Sequence, residues 1–446
     1  MIRSLAAVGA AALLSFLVQP PAYAAVVNVP DVASLQAAIN SARSGQRIVL
    51  ANGVHRAGKP IRITKPRITI AARNAGRAVF RTGGFEFGAV RGVTLEGFVF
   101  SGTSSLTVPA EAAATRITRT TFNGDKDGAS LSVSADDVQV DHNTFSNRTN
   151  EGVYLQITGP GDEIAQRTWV HHNYFYNHSF AGANGGESIR LGYSHKQSKS
   201  AYAVIEHNLF EKANGDPEAI SVKSSDNTVR FNTIRDSKGY IVLRHGNRTT
   251  VEGNVLFGSG IRFHGNDHKV FNNYVENTGD RAIVFGKGSE TDSGPTSTSH
   301  DRPDRVTVAF NTLIGTGAVV DSDTGTYAPK DCVLANNVIQ GSSSKLIDMM
   351  SGSTVKYEGN IVWGGTAGIA SGYRSVDPKL VRDANGLLRL SSASPAIDTS
   401  AGTYSYVTRD FDPQPRSGKP DVGADEHNSS AVRRPLTKAD VGVSAP

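Results

Sequence analysis

The chain has 446 residues, 46 of them glycine, and a single cysteine, Cys332; this excludes a disulfide-stapled miniature and leaves no intramolecular disulfide to form. A formal charge of +5 is mild. It suits an anionic partner, nucleic acid or acidic polysaccharide, without demanding either.

In chain order, residues 1–24 read as an export leader: Arg3, an apolar run from Leu5 to Val18, then Ala22-Tyr23-Ala24 with cleavage expected after Ala24. The run is too short, and too closely followed by prolines, for a membrane span, and no other stretch reaches transmembrane length. The expectation is a soluble, secreted or periplasmic protein with no membrane partner. Export favours a glycan over nucleic acid. "VASLQAAINSA", residues 32–42, is the one clear amphipathic helix, expected to cap the otherwise open edge of the first coil. "GQRIVLANGVHRA" is expected to begin the first strand.

A short phrase then recurs: an asparagine, one residue, an apolar residue and a turn. It appears at Asn143, Asn173, Asn208, Asn232, Asn254, Asn273, Asn311, Asn337 and Asn360, and five of the eight intervals lie between 19 and 26 residues. Between the asparagines run short strands with period-two alternation, such as "HKVFNNYV" and "YIVLRHG", bounded by Gly, Asn, Asp and Ser. A repeat of this length, with an asparagine at one fixed corner, predicts an all-β, single-domain parallel β-helix over 25–427. A sandwich or barrel gives no reason for the recurring corner. The longer intervals predict loops from Thr158, Tyr193 and Gly288, which would wall a groove. Residues 428–446 lack strand pattern and read as a loosely ordered tail.

Parity orients the side chains, because alternate residues of a strand face opposite ways. Ile189, Leu191, Ile220, Val222, Ile241, Leu243, Ile261 and Phe263 point inward. Arg190, Lys223, Arg244, Arg262 and His264 then point outward, with Lys223 and Arg244 expected side by side on successive coils and His245 nearby. Such a cluster is either a solvated face with its cations splayed apart or a groove for a chain of carboxylates. Glu218 shares parity with Ile220, so a corner at Pro217 is expected to release it outward. With Asp216, and with Asn184 and Glu187 one coil earlier, it forms either a calcium site of hard oxygens or an acid cluster that balances Arg190 and Lys223.

This chemistry suits β-elimination at a uronate. Lys223, crowded by positive charge, would remove the proton next to the carboxylate, a bound calcium would act as Lewis acid, and an arginine on the next coil would assist the leaving oxygen. Hydrolysis would need a carboxylate pair; Asp136 and Asp137 occupy a turn before a strand and read as a bend. "DKDG" from Asp125 reads as a turn, and no dinucleotide, phosphate-loop or zinc pattern is present.

"NGGESIRLG", "PEAISVKSSDNTVRFNTI" and "GYIVLRHGNRTTVEGN", in that order and spacing, resemble polysaccharide lyase family 6, which holds alginate lyases and chondroitinase B. The resemblance is close from about residue 173 to 285 and looser elsewhere, through the coil pattern and the closing "SPAIDTS…DFDPQPR…DVGADE". It implies a right-handed parallel β-helix and a calcium-assisted elimination, with Lys223 as base and Arg244 as acid. The family's calcium ligands match Asn184, Asp216 and Glu218, and His245 matches a substrate-contacting position. The departure is Asp216, where many relatives carry the longer glutamate. The expected substrate is an anionic polysaccharide, alginate first and dermatan sulfate as the alternative, cleaved by a protein expected to be monomeric. A glycan-binding solenoid without catalysis is the competing class, although simple binding does not call for lysine, arginine and acids concentrated on adjacent coils.

Overall fold

Short alternating runs interrupted by turn residues cannot make long strands, and they fold as strands of two to six residues. The computed structural model describes residues 26–277, 279, 281–428 and 433–446; the expected leader, residues 1–24, lies outside them. Two sheets of 14 strands run along most of the described chain, and one of 10 runs from Leu106 to Asp348. Along most of the chain each strand pairs in parallel with the third strand after it, so three strands make one coil of a parallel β-helix. An antiparallel strand pair, Leu380–Arg382 with Leu388–Leu390, follows the last coil. No helix among the described residues is long and apolar enough to cross a membrane.

The helix Val32–Ser41 starts where Asp31 accepts a hydrogen bond from Ser34 N at 2.8 Å. It buries Leu35 and Ile39 against the first strands. The first strand is not the one expected after it. Val26–Val29 precedes the helix and forms the edge of a 14-stranded sheet beside Arg47–Leu50.

Inward parity builds a single continuous core. Phe100, Phe122, Phe145, Phe175 and Phe210 stack in a column with ring centroids 4.7–5.3 Å apart. That spacing matches the strand separation within a sheet, so each ring rests on its equivalent in the next coil.

The nine repeating asparagines occupy one corner, and all are fully buried. From Asn173 on, each Oδ1 accepts from the backbone N–H and the side-chain Nδ2 of the asparagine one coil earlier, at 2.9–3.0 Å throughout, while Asn143 Oδ1 accepts from Thr120 N. The residue before each asparagine is left-handed, among them His142, His172, His207 and Phe231 with φ between 53° and 57°. Non-glycine residues adopt this conformation at a cost, offset here by stacking of successive rings at 5.1–5.2 Å.

Beyond the last coil the chain turns back as a strap along the outside of this corner. Arg416 donates to Asn272 Oδ1 at 2.9 Å, Leu436 N to Thr233 Oγ1 at 2.9 Å and Gly442 N to the His172 carbonyl at 2.8 Å. Residues 433–446 are therefore seated against the coils, in place of the loosely ordered tail expected for 428–446. Val441 and Leu436 pack on Tyr174 and Leu209, apolar contacts too sparse to show as a periodic pattern.

Asn254→Ala tests the corner. It removes the acceptor for Asn232 N and Nδ2 and the donor to the Val229 carbonyl. At about 1–3 kcal/mol for each buried group left unpaired, urea unfolding should show a clearly lowered midpoint. An unchanged midpoint would mean that the ladder is dispensable.

Candidate active site

Four consecutive coils of the ten-stranded sheet carry the residues singled out by parity: Ile189–Gly192, Glu218–Lys223, Tyr240–His245 and Ile261–Phe263. Their inward side chains are fully buried, as expected. Two register shifts decide which residues face out. The first lies between Glu218 and Ile220, where Ala219 is the extra residue; Glu218 pairs with Tyr240 and Ile220 with Ile241. A bulge reverses parity on one side of it, so Ala219 turns into the core and Glu218 turns outward without the corner expected at Pro217.

The second shift lies between Val222 and Lys223. Val222 pairs with Leu243, but Lys223 pairs with His245, which leaves Arg244 as the unpaired residue. The expected side-by-side pair of Lys223 and Arg244 is thereby corrected. One outward row runs Gln156, Arg190, Ser221, Val242, Arg262, Val284. Lys223 stands in another row between Gly192 and His245. No two of the four cations are direct cross-strand partners, as repulsion between like charges requires.

Each cation has a carboxylate partner. Fully buried Glu187 accepts from Arg190 through both oxygens, at 2.8 Å from Nε, and lies 3.4 Å from Lys223 Nζ. Burial alone would raise the Glu187 pKa, but Arg190 and then Lys223 pull it below the ordinary carboxylate value. Glu187 is thus a counter-ion with its oxygens engaged, a correction to its place among the calcium ligands. Lys223 is 7% exposed. Burial lowers its pKa, with Arg190 and Arg244 acting in the same direction and Glu187 and Glu218 opposing. Arg244 donates to Glu218 Oε1, and Arg262 pairs with Asp323.

Asp216 accepts from Gly186 N at 2.9 Å and Glu218 N at 2.7 Å. The first bond needs two loops in near contact: a Cβ on Gly186 would lie 2.3 Å from the Gly215 carbonyl carbon. Burial, then the charge of Glu187, raises Asp216 to about 7. Glu218 Oε2 is buried with no hydrogen-bond partner. Asn184 is exposed on the loop just before Gly185. Asp216 and Glu218 line one cleft with Ala183, the residue before Asn184; a crowded acid pair with an unpartnered oxygen gains from added positive charge, so these carboxylates could hold a divalent cation. Among the described residues, the one trio of acids converging within 4.8 Å is Asp410, Asp412 and Asp425, and all but Asp410 pair with Arg389.

A cleft of about 590 Å³ opens over these coils, lined by Asp216, Glu218, Lys238, Tyr240, Arg244 and Arg262 among others. A second hollow on the preceding coils contains Gln156, Arg190, Tyr193, Asp127 and Glu151. Arg190 and Arg262 thus face the groove, each already paired. His264 does not: it is 2% exposed, with Nδ1 3.0 Å from the Lys287 carbonyl. His245 is 3% exposed and likewise lines neither hollow. The long loop after Gly288, folding back over this edge, covers both histidines. Lys238, Tyr240 and Tyr193 escaped the sequence reading, since each lies where parity ends. Asp136 and Asp137 sit on a turn, tied to Arg167, away from the cleft.

A family model described as Chondroitinase B matches residues 107–350, nearly the full extent of the ten-stranded sheet. Among solved structures, the PL6 family alginate lyase AlyGC is 25% identical with a TM-score of 0.74, over 83% of this chain and 56% of that one. The chain therefore spans little more than half of that protein's length. A mannuronic acid specific polysaccharide family 6 lyase from human gut microbiota is 23% identical with a TM-score of 0.71, over 79% of this chain and 91% of that one. A PL6 alginate lyase in complex with a trisaccharide is 21% identical with a TM-score of 0.67, over 84% and 92% of the two chains. These last two likenesses speak to the fold alone. No curated protein matches the sequence. With a family model covering more than half its length and the same solenoid beneath it, the chain belongs to the chondroitinase B family, polysaccharide lyase family 6.

Proposed function

We propose that this protein is an exported lyase that cleaves alginate by β-elimination at a uronate. The observation that carries the reading is Lys223: an almost fully buried amine paired with buried Glu187, beneath a cationic cleft that Glu218 and the off-register Arg244 line. Burying a lysine this way destabilises its charged form and prepares a base. Neutral Lys223 would take the proton from C5 of the uronate. The C4–C5 double bond forms as the C4–O bond breaks, and Arg244 would stabilise or protonate the departing oxygen. Arg262 and Lys238, on the same cleft, would hold carboxylates of neighbouring sugars.

Asp216, Glu218 and Asn184 would hold the calcium ion that the family resemblance implies. When bound, such an ion neutralises the uronate carboxylate and acidifies the adjacent C–H. The alginate lyases among the structural relatives support the choice of polymer, and the leader-like residues 1–24 support export. Dermatan sulfate is the second reading, favoured by the name of the matching family model.

The direct test is ultraviolet absorbance of a double bond conjugated to a carboxylate, with alginate and dermatan sulfate in parallel. A rise with alginate alone is expected. A rise with dermatan sulfate alone would move the assignment to the second reading, and silence with both would favour a non-catalytic glycan-binding solenoid. Lys223→Ala should lower kcat by about 10²–10⁴-fold, and Arg244→Ala should have a comparable effect, both with unchanged circular dichroism. Turnover near wild type in either variant would remove that residue from the chemistry. Chelation should depress activity and added calcium restore it; full activity after exhaustive chelation would reduce Asp216 and Glu218 to charge-tuning groups. Because Lys223 acts deprotonated and its pKa is lowered, kcat/KM should rise with pH and level off below the ordinary lysine value of about 10.4. A rise continuing past that value would exclude Lys223 as the base.

A further inference from the structure

Two long excursions leave the ten-stranded sheet beside the cleft, residues 193–203 after the strand Ile189–Gly192 and residues 286–306 after Ile283–Phe285. The imidazole of His245 lies between them. Its Nε2 is 3.0 Å from Ser194 Oγ on the first loop, and its Nδ1 is 3.1 Å from the Ser299 carbonyl oxygen on the second. A carbonyl only accepts, so Nδ1 carries the proton and Nε2 accepts from the Ser194 hydroxyl. Burial, then His300 and Arg244, keeps the ring neutral, with its pKa near 3. Both nitrogens are committed, and none remains for a sugar.

Other contacts join the same parts. Gln197 Nε2 donates to the Ser297 carbonyl at 2.6 Å, a direct bridge from one loop to the other. The His300 ring packs 4.9 Å from His245 and 4.3 Å from His264, centroid to centroid, and His264 in turn holds the Lys287 carbonyl at the root of the second loop. His245 is also the cross-strand partner of Lys223, so the loops are fastened to the strand pair that carries the proposed base.

We propose that His245 is a positioning residue, a clasp that fastens both loops to the strands carrying Lys223 and Arg244, and not the substrate contact its place beside Arg244 suggests. Its effect on catalysis rests on the lyase reading; the clasp itself does not.

Hydrogen exchange of the full chain, read by mass spectrometry, separates the two. His245→Ala should speed exchange in both loops, by about five- to tenfold for the loss of one hydrogen bond to each. His245→Asn keeps a donor near the Nδ1 position and should loosen 193–203 alone. His245→Gln keeps an acceptor near the Nε2 position and should loosen 286–306 alone. Ser194→Ala makes the test from the loop side, should the His245 variants fail to fold, and should also loosen 193–203. Unchanged exchange in both loops of His245→Ala, or of 193–203 in Ser194→Ala, would overturn the clasp. With alginate, His245→Ala should raise KM about tenfold, with partial recovery in the Asn and Gln variants. A loss confined to kcat and equal in all three would overturn the positioning role. If the wild-type protein cleaves neither polymer, the lyase reading fails while the exchange results still decide the clasp.

Discussion

At the corner between two sheets of a solenoid, the backbone turns and the corner residue's N–H aims along the stack, towards the next coil. Inside the stack no water reaches it, so that N–H must find a protein acceptor. The asparagine Oδ1 of the following coil is that acceptor, and its own Nδ2 continues the chain of bonds to the coil beyond. Each coil is thereby fixed in register with its neighbours. The phenylalanine column from Phe145 onward and the outward row through Arg190, Ser221, Val242 and Arg262 run along the stretch of the stack that this relay spans.

Against that regular frame the site is built from two local departures. One extra residue at Ala219 sends Glu218 outward, and one at Arg244 takes its guanidinium out of the row that would have set it against Lys223. Four cations then share a small volume, each offset by a carboxylate of Glu187, Glu218 or Asp323, while Asp216 is left without a cation partner among the described residues. The electrostatic cost of burying Lys223 is met by Glu187, which Arg190 keeps ionised. A regular ladder could not deliver this arrangement, because strict register places successive outward residues directly over one another.

The solenoid was legible because its determinants are side chains that recur: nine asparagines at coil-length spacing, and alternation that assigned Ile220 and Val222 to the core and Lys223 to the outside. The bulges were not. No residue type marks the position where a strand gains a residue relative to its partner, so the parity of Glu218 was rescued by the wrong device and Arg244 was placed opposite Lys223. Parity places His264 outward and sets His245 near the cations, yet both are buried, because a loop folded back from Gly288 onward covers them. The path of such a loop depends on bonds such as Gln197 to Ser297, between residues about a hundred apart in sequence. Glu187 was read correctly as a neighbour of the site but assigned to a metal, since the pairing with Arg190 that occupies its oxygens depends on burial that spacing does not reveal.

The strap along the asparagine corner carries a consequence for the order in which the molecule is made. Arg119 donates to the carbonyl of Val443, 324 residues later. At a synthesis rate of about 5–20 residues per second, the coil of Arg119 waits roughly 15–65 s for its partner to emerge. During that interval the nascent coils must hold together on their parallel ladders, apolar core and amide relay, with their histidine-lined corner open to solvent. The strap closes over a stack already standing, and its contribution is a tie between coils that otherwise touch only their immediate neighbours.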